Sequence, residues 1–392
     1  MKTFGTISRG VKTPIIKEGD DLVNIVCNSV LNATKEENIE LQDRDIVAIT
    51  EAVVGIAEGN YATVDQIAKD IKNKFGDNPV GLVFPILSRN RFSMLLKGIA
   101  RGAKKLIIQL SYPLDEVGNP LVNPELIYDS DINPYKDVFT GEEFNKKFDH
   151  PLHPFTGMNY IDMYKELAGD NCEIIVANKP EAILKYTKYV IAADIHTRHR
   201  TKKALENAGA EKVLTLCDIL NESVDGSGYN SKYGLLGSNK STEERVKLFP
   251  ENGQKYVDEI CKKLKEATGK NIEVMVYGDG AFKDPVCGIW ELADPVVSPA
   301  HTNGLLGTPN ELKLKFLSDN KFKDLKGEEL IKAMQKEIRN KNANLKGTMA
   351  TQGTTPRRYT DLLGSLSDLT SGSGDKGTPV VLIQNYFDTY AD

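Results

Sequence analysis

Asp279, Asp284, Glu291 and Asp294 crowd into residues 279–294, and the first stands in Gly278-Asp279-Gly280, directly after the apolar run Val274-Met275-Val276-Tyr277. The run is rich in β-formers and predicts a strand. A glycine turn at its end exposes a carboxylate where open α/β sheets gather ligands. A hard cation such as Mg2+ needs only one or two carboxylates when phosphate oxygens complete its shell. Asp279, Asp284 and Glu291 are therefore candidate metal ligands. Asp279 closing a tight turn, with the other acids solvated, fits the same residues. Glu51 joins the candidates as a lone acid in the apolar run DIVAITEAVV. A carboxylate there is costly unless paired or metal-bound, and a structural Lys or Arg would serve equally.

Cations and glycines supply the other half of a possible phosphate chemistry. Arg89 and Arg91 sit in SRNRFS, where a strand gives way to a helix. Amides at a helix start favour anions, and arginine adds bidentate hydrogen bonding to carboxylate or phosphate. A solvated basic face is the plainer reading of this segment, and the better one for Lys104 and Lys105. The tract GSGYNSKYGLLGSNK at 226–240 precedes a helix predicted to start near Ser241-Thr242-Glu243-Glu244. Ser238, Asn239 and the backbone there can cradle phosphate without a P-loop lysine; a capping loop accounts for them as well. No G-x-x-x-x-G-K-[ST] pattern occurs here. A second tract, GSLSDLTSGSGDKGTP at 364–379, reads as a mobile phosphate-binding loop, because glycine lets backbone amides approach an anion. His150 and His153 form an H-x-x-H pair between prolines, which fits a rigid turn better than a metal site. His196, Arg198, His199 and Arg200 follow a strand, as an anion grip or as helix caps.

These residues need elements to place them. A helix is predicted from residue 22 to 33, a buried strand over 45–54, and a helix over 63–75 capped by Thr63 or Asp65. A basic helix carrying Lys97, Arg101, Lys104 and Lys105 precedes the strand Leu106-Ile107-Ile108-Gln109-Leu110. Residues 113–167, rich in Asp, Asn, Pro, Tyr and Phe, read as a loop-like covering arm. Residues 172–220 alternate strand, helix, strand, helix, strand, a compact α/β module with parallel pairing. The fold class is mixed α/β: a body from residues 1–84 and 226–392, and an inserted unit over 85–225.

At 392 residues with 40% hydrophobic and 27% charged residues, the chain can bury a full core. A net charge of −5 argues against a dedicated nucleic-acid binder. No apolar run approaches the roughly 20 residues of a membrane span, and MKTFGTISRGVKTP lacks the apolar core of a signal peptide. Five scattered cysteines without a C-x-x-C pair fit reduced thiols, and with them a cytoplasmic protein.

Lys17-Glu18-Gly19-Asp20-Asp21-Leu22, Asp45-Ile46-Val47 with Ala57-Glu58-Gly59, Gly237-Ser238-Asn239, the strand leading to Asp279, and Gly377-Thr378-Pro379-Val380-Val381 occur in an order that resembles the coenzyme F420-0:L-glutamate ligase family. More narrowly, the chain is similar to its longer bacterial branch, through KYGLLGSNK, VYGDGAFKDP, IWELADPVVSPA and LTSGSGDKGTPVV. The resemblance implies a GTP- or ATP-dependent ligase joining glutamate to an acidic, cofactor-like acceptor through an acyl phosphate, with Mg2+ or Mn2+. A nucleotide- or phosphometabolite-binding protein on the same scaffold, without ligase activity, is the alternative. By position it implies Asp279 as a metal ligand, and Pro14, Ile15, Ile16 and Lys17 with Ser238 and Asn239 as nucleotide contacts. Gly374, Asp375, Gly377 and Thr378 would form the phosphate loop, and an intertwined homodimer would place sites near the subunit boundary. The family's other metal aspartate falls at Leu236 or Gly237 here, and its lysine at Ile56. Glu51, Asp284 or Glu291 would then replace the lost ligand, and Arg89, Arg91 or Lys376 the lost cation.

Overall fold

A computed structural model describes residues 3–280, 284, 288–290, 294–353, 357–371 and 374–392. Glu291 lies outside these residues. Two large sheets share the chain, confirming the mixed α/β class.

The first sheet has the strand order Ile7–Val11, Val380–Gln384, Ile46–Thr50, Glu273–Tyr277, Ala300–His301. Only Ile46–Thr50 and Glu273–Tyr277 run parallel; the other pairs are antiparallel. Successive side chains alternate faces, as a pleated strand requires. Val47 and Ile49 pack with Val274 and Val276 under the helices Leu22–Glu36 and Gly253–Thr268. Ile46 and Ala48 pack with Met275 and Tyr277 under the helix Tyr359–Ser371.

The second sheet has the order Phe139–Thr140, Cys172–Val176, Leu106–Leu110, Val80–Val83, Tyr189–Ala192, Lys212–Thr215, parallel except for its first strand. Numbered along the chain, its parallel strands stand in the order 3-2-1-4-5, a doubly wound arrangement. Val80–Val83, which the boundary at residue 84 assigns to the body, is the central strand of this sheet.

Several elements differ from the sequence reading. The strand expected over 45–54 ends at Thr50, and Glu51–Glu58 is a helix closed by Gly59 at φ 66°. A short apolar run does not separate period 2 from period 3.6, so the pattern alone could not divide it. The helix expected near Ser241 is a hairpin, Asn239–Thr242 against Arg245–Lys247, whose second strand pairs with Tyr61–Thr63. Cross-strand partners distant in sequence decide that segment. The arm at 113–167 contains the helices Pro124–Tyr128, Gly141–Lys147 and Tyr160–Ala168, capped by Asn123, Thr140 and Asn159. The segment after Cys172–Val176 is a 3-10 turn, Pro180–Lys185, where an α-helix was expected.

The glycine-serine tract at 364–379 is not all loop: the helix Tyr359–Ser371 occupies its first half. Ser365, Ser367 and Thr370 donate their hydroxyls to carbonyls four residues back, so these polar groups are satisfied within the helix. Gly364 lets this helix close on its neighbours, since a Cβ there would stand 2.6 Å from Val297 Cγ1.

Candidate functional site

The register of the first sheet delivers four chain segments to one edge. Tyr277 pairs with Thr50, so the parallel strands end side by side and release Gly278-Asp279 and Glu51 together. The antiparallel strand Val380–Gln384 begins at that edge, with Val380 opposite Ile49 and Val11. Thr378 and Pro379 therefore arrive there as Thr13 and Pro14 leave. The Gly377 carbonyl accepts from Thr13 N at 3.3 Å, and Pro379 O accepts from Thr50 N at 3.0 Å.

These segments enclose a chamber of about 790 Å3. Pro14, Ile15, Ile16, Glu51, Arg91, Asn239, Asp279, Gly374, Gly377 and Thr378, all named from the sequence, line it. Gly374 and Gly377 stand at φ 100° and 65°, where a side chain would be strained, so glycine is what this loop requires.

Other candidates fall elsewhere. Lys17 does not line the chamber; its backbone N donates to Asp20 Oδ2 at 2.7 Å. Ser238 is buried and its hydroxyl donates to Leu235 O at 2.7 Å, closing a turn. Asp375 and Lys376 are exposed and outside the lining. Asp284 is also outside it, with its backbone N bonded to Ile289 O at 2.8 Å. Arg89 faces a neighbouring pocket instead.

Arg91 crosses from the second sheet to join the acids. Its Nη1 lies 2.7 Å from Asp294 Oδ1, and its Nη2 pairs with Asp279 Oδ2. Asp294 Oδ2 also accepts from Asp279 N at 2.7 Å. Burial alone would weaken the guanidinium's hold on its proton, but Asp294, Asp279 and Glu51 together raise its pKa and keep it charged. Arg91, read from the sequence as an anion grip, is thus already engaged by two carboxylates.

Glu51 found the structural partner that its sequence allowed: Lys247 Nζ stands 3.0 Å from Glu51 Oε2, with both side chains buried. Burial raises the Glu51 pKa against the pull of Lys247. At the second sheet, backbone N–H groups of Ile195, His196 and Thr197 hold the Glu116 carboxylate at 2.6 to 3.1 Å. The anion at that strand end is internal.

Asp368, which the sequence reading passed over, also lines the chamber, and its Oδ2 accepts from Gly280 N at 3.0 Å. Its signal is an acid at a helical position one turn before Ser371, masked by the glycines and serines that give the tract a loop-like composition. Among the described residues, no three His, Cys, Asp or Glu side chains form a ready-made metal cage. Asp279 and Asp368 nonetheless suit a hard cation that arrives with phosphate oxygens, which needs only one or two carboxylates.

The fold and the chamber define a mixed α/β protein with an acid- and glycine-lined site where parallel strands end. The family model for F420-0:Gamma-glutamyl ligase matches residues 10–385, and the chain belongs to that family. It is 36% identical over 85 residues to the coenzyme F420:L-glutamate ligase of Methanosarcina acetivorans. That stretch is 20% of this chain and 30% of the relative's length.

Proposed function

We propose that the chain is a GTP- or ATP- and divalent-metal-dependent amide ligase that adds glutamate to an acidic, F420-like acceptor through an acyl phosphate. The observation that carries this reading is the meeting of Asp279, Asn239, Pro14 and the loop of Gly374, Gly377 and Thr378 around one chamber. At about 790 Å3 it is large enough for a polyphosphate tail and a second substrate, within the roughly 300–1,000 Å3 of small-molecule sites.

In the proposed reaction the nucleotide's γ-phosphoryl group passes to a carboxylate oxygen of the acceptor, releasing nucleoside diphosphate. The glutamate nitrogen then bonds to the activated carbon, inorganic phosphate leaves, and the nitrogen gives up a proton. Backbone amides of the glycine loop hold the phosphates, and Arg91 supplies a fixed cation beside the transferring group. Glu51, with its raised pKa, takes the amine's proton at the chamber wall. Asp279 and Asp368 would hold Mg2+ or Mn2+, whose charge offsets that of the phosphates. The protein acts in the cytoplasm as a homodimer.

Diphosphate release that requires Mg2+ or Mn2+, an acidic acceptor and glutamate together is the expected result. Nucleotide binding with no amino-acid-dependent turnover would favour the alternative, a binding protein on this scaffold. The Arg91 bridge between Asp279 and Asp294 is the observation on that side.

A further inference from the structure

In the doubly wound sheet the connections leave Val80–Val83 toward Leu106–Leu110 on one side, while Tyr189–Ala192 pairs on the other. Ligands of such sheets bind beyond the carboxyl ends of the strands at this switch point. A second pocket, of about 230 Å3, lies there, lined by residues that directly follow Val80–Val83. It shares Ser88, Asn90 and Arg91 with the larger chamber, so the two spaces are neighbours across one wall.

The pocket's walls combine aromatic rings with polar side chains. Tyr160, Phe155 and Trp290 line it, and Phe155 and Trp290 are 65% and 44% exposed. His153 also lines it and is 2% exposed. Its Nδ1 accepts from the backbone N of Phe155 and Thr156 at 3.2 and 3.1 Å, which puts the proton of the neutral ring on Nε2. That buried Nε2 has no hydrogen-bond partner. A buried donor left unmet is expensive, so it points to an acceptor atom on a ligand. Arg89 lines the same pocket, with no ion pair among the described residues.

We propose that this pocket binds a planar aromatic ring system of the acceptor, whose ring accepts from His153 Nε2 and whose anionic substituent meets Arg89. The pocket is smaller than a whole drug-sized site, so it takes the ring and leaves the acceptor's reacting carboxylate to the adjoining chamber. Flat rings gain by stacking on aromatic walls, and a bidentate guanidinium fixes the acid's direction. The inference rests on the ligase reading and deepens it, by assigning the acceptor's ring to the second sheet.

Trp290 is the chain's one tryptophan, so its emission reports on this pocket alone. Titrating the full chain with pterin-6-carboxylate should quench it saturably. Arg89→Ala should weaken the acid about tenfold while leaving unsubstituted pterin unchanged. His153→Asn, which keeps an acceptor near the Nδ1 position and removes the distal donor, should weaken both probes about tenfold. His153→Gln, which returns an N–H near the Nε2 position, should recover most of that loss and serves as the folding control. Absent quenching, or quenching indifferent to Arg89→Ala and His153→Asn, overturns the proposal. Mg2+-dependent binding of a fluorescent GTP analogue is measured in parallel. If it persists while pterin binding fails, only this inference falls; if it fails while quenching persists, the ligase reading falls and the pocket stands.

Discussion

Arg91 carries two ionic contacts that close the acid cluster, and Asp294 opposite it is almost wholly buried. Removing one partner of a buried pair leaves an uncompensated charge. Arg91→Ala should therefore cost about 3–5 kcal/mol, read as a lower urea midpoint, and Arg91→Lys should cost less because the charge survives without the fork. Asp279→Asn should abolish metal-dependent diphosphate release, and unchanged turnover would remove Asp279 from the metal site. Asp115 behaves differently. It accepts from Leu87 N, Val117 N, Asn119 N and Asn119 Nδ2, yet burial outweighs these bonds and pushes its carboxyl up to about 6. A folded pKa above the unfolded one means that the folded chain binds this proton more tightly. Its contribution is thus fully present below the ordinary carboxylate range and is lost as pH rises through about 6. Wild-type stability measured against Asp115→Asn should decline over that window by at most about 3 kcal/mol.

At the scale of elements, the site depends on how closely strand ends and helices approach. A Cβ on Gly278 would collide with Asp294 Oδ2, and Asp294 cannot swing away while Arg91 and Asp279 N hold it. Gly278→Ala should break the Arg91 bridge and lower diphosphate release relative to wild type. Gly374 has open space around it but a φ of 100°. Gly374→Ala should thus cost only about 1–2 kcal/mol in backbone strain, while weakening nucleotide affinity because the loop's amides turn away. A fluorescent-nucleotide titration beside a thermal melt separates the two effects.

Across the whole molecule, the chamber is lined by residues at the edge of the first sheet and by the segment that follows Val80–Val83 of the second, all from a single chain. Mixing an Asp279→Asn chain with an Arg91→Lys chain should therefore give no more turnover than the two variants measured separately, even in the proposed homodimer. Recovery approaching a quarter or more of wild-type turnover would show that the working site is shared between copies. Among the described residues, no helix is long and apolar enough to cross a membrane.

Elements with strong local signals are legible in the amino-acid sequence. The capped helix Val64–Phe75, the strand Glu273–Tyr277 and its Gly-Asp-Gly turn, and the alternation through residues 172–215 follow from periodicity, capping and turn chemistry, which act over a few residues. An acid directly after a strand marks Asp279 from local pattern, whereas Asn239 and the Gly374–Gly377–Thr378 loop are named through the family resemblance. Which of these meet is settled by the folded chain. Arg91 with Asp279 and Asp294, Lys247 with Glu51, and Asp368 with Gly280 join segments far apart in the chain. Such pairings are set by strand order and register, and no local pattern encodes them.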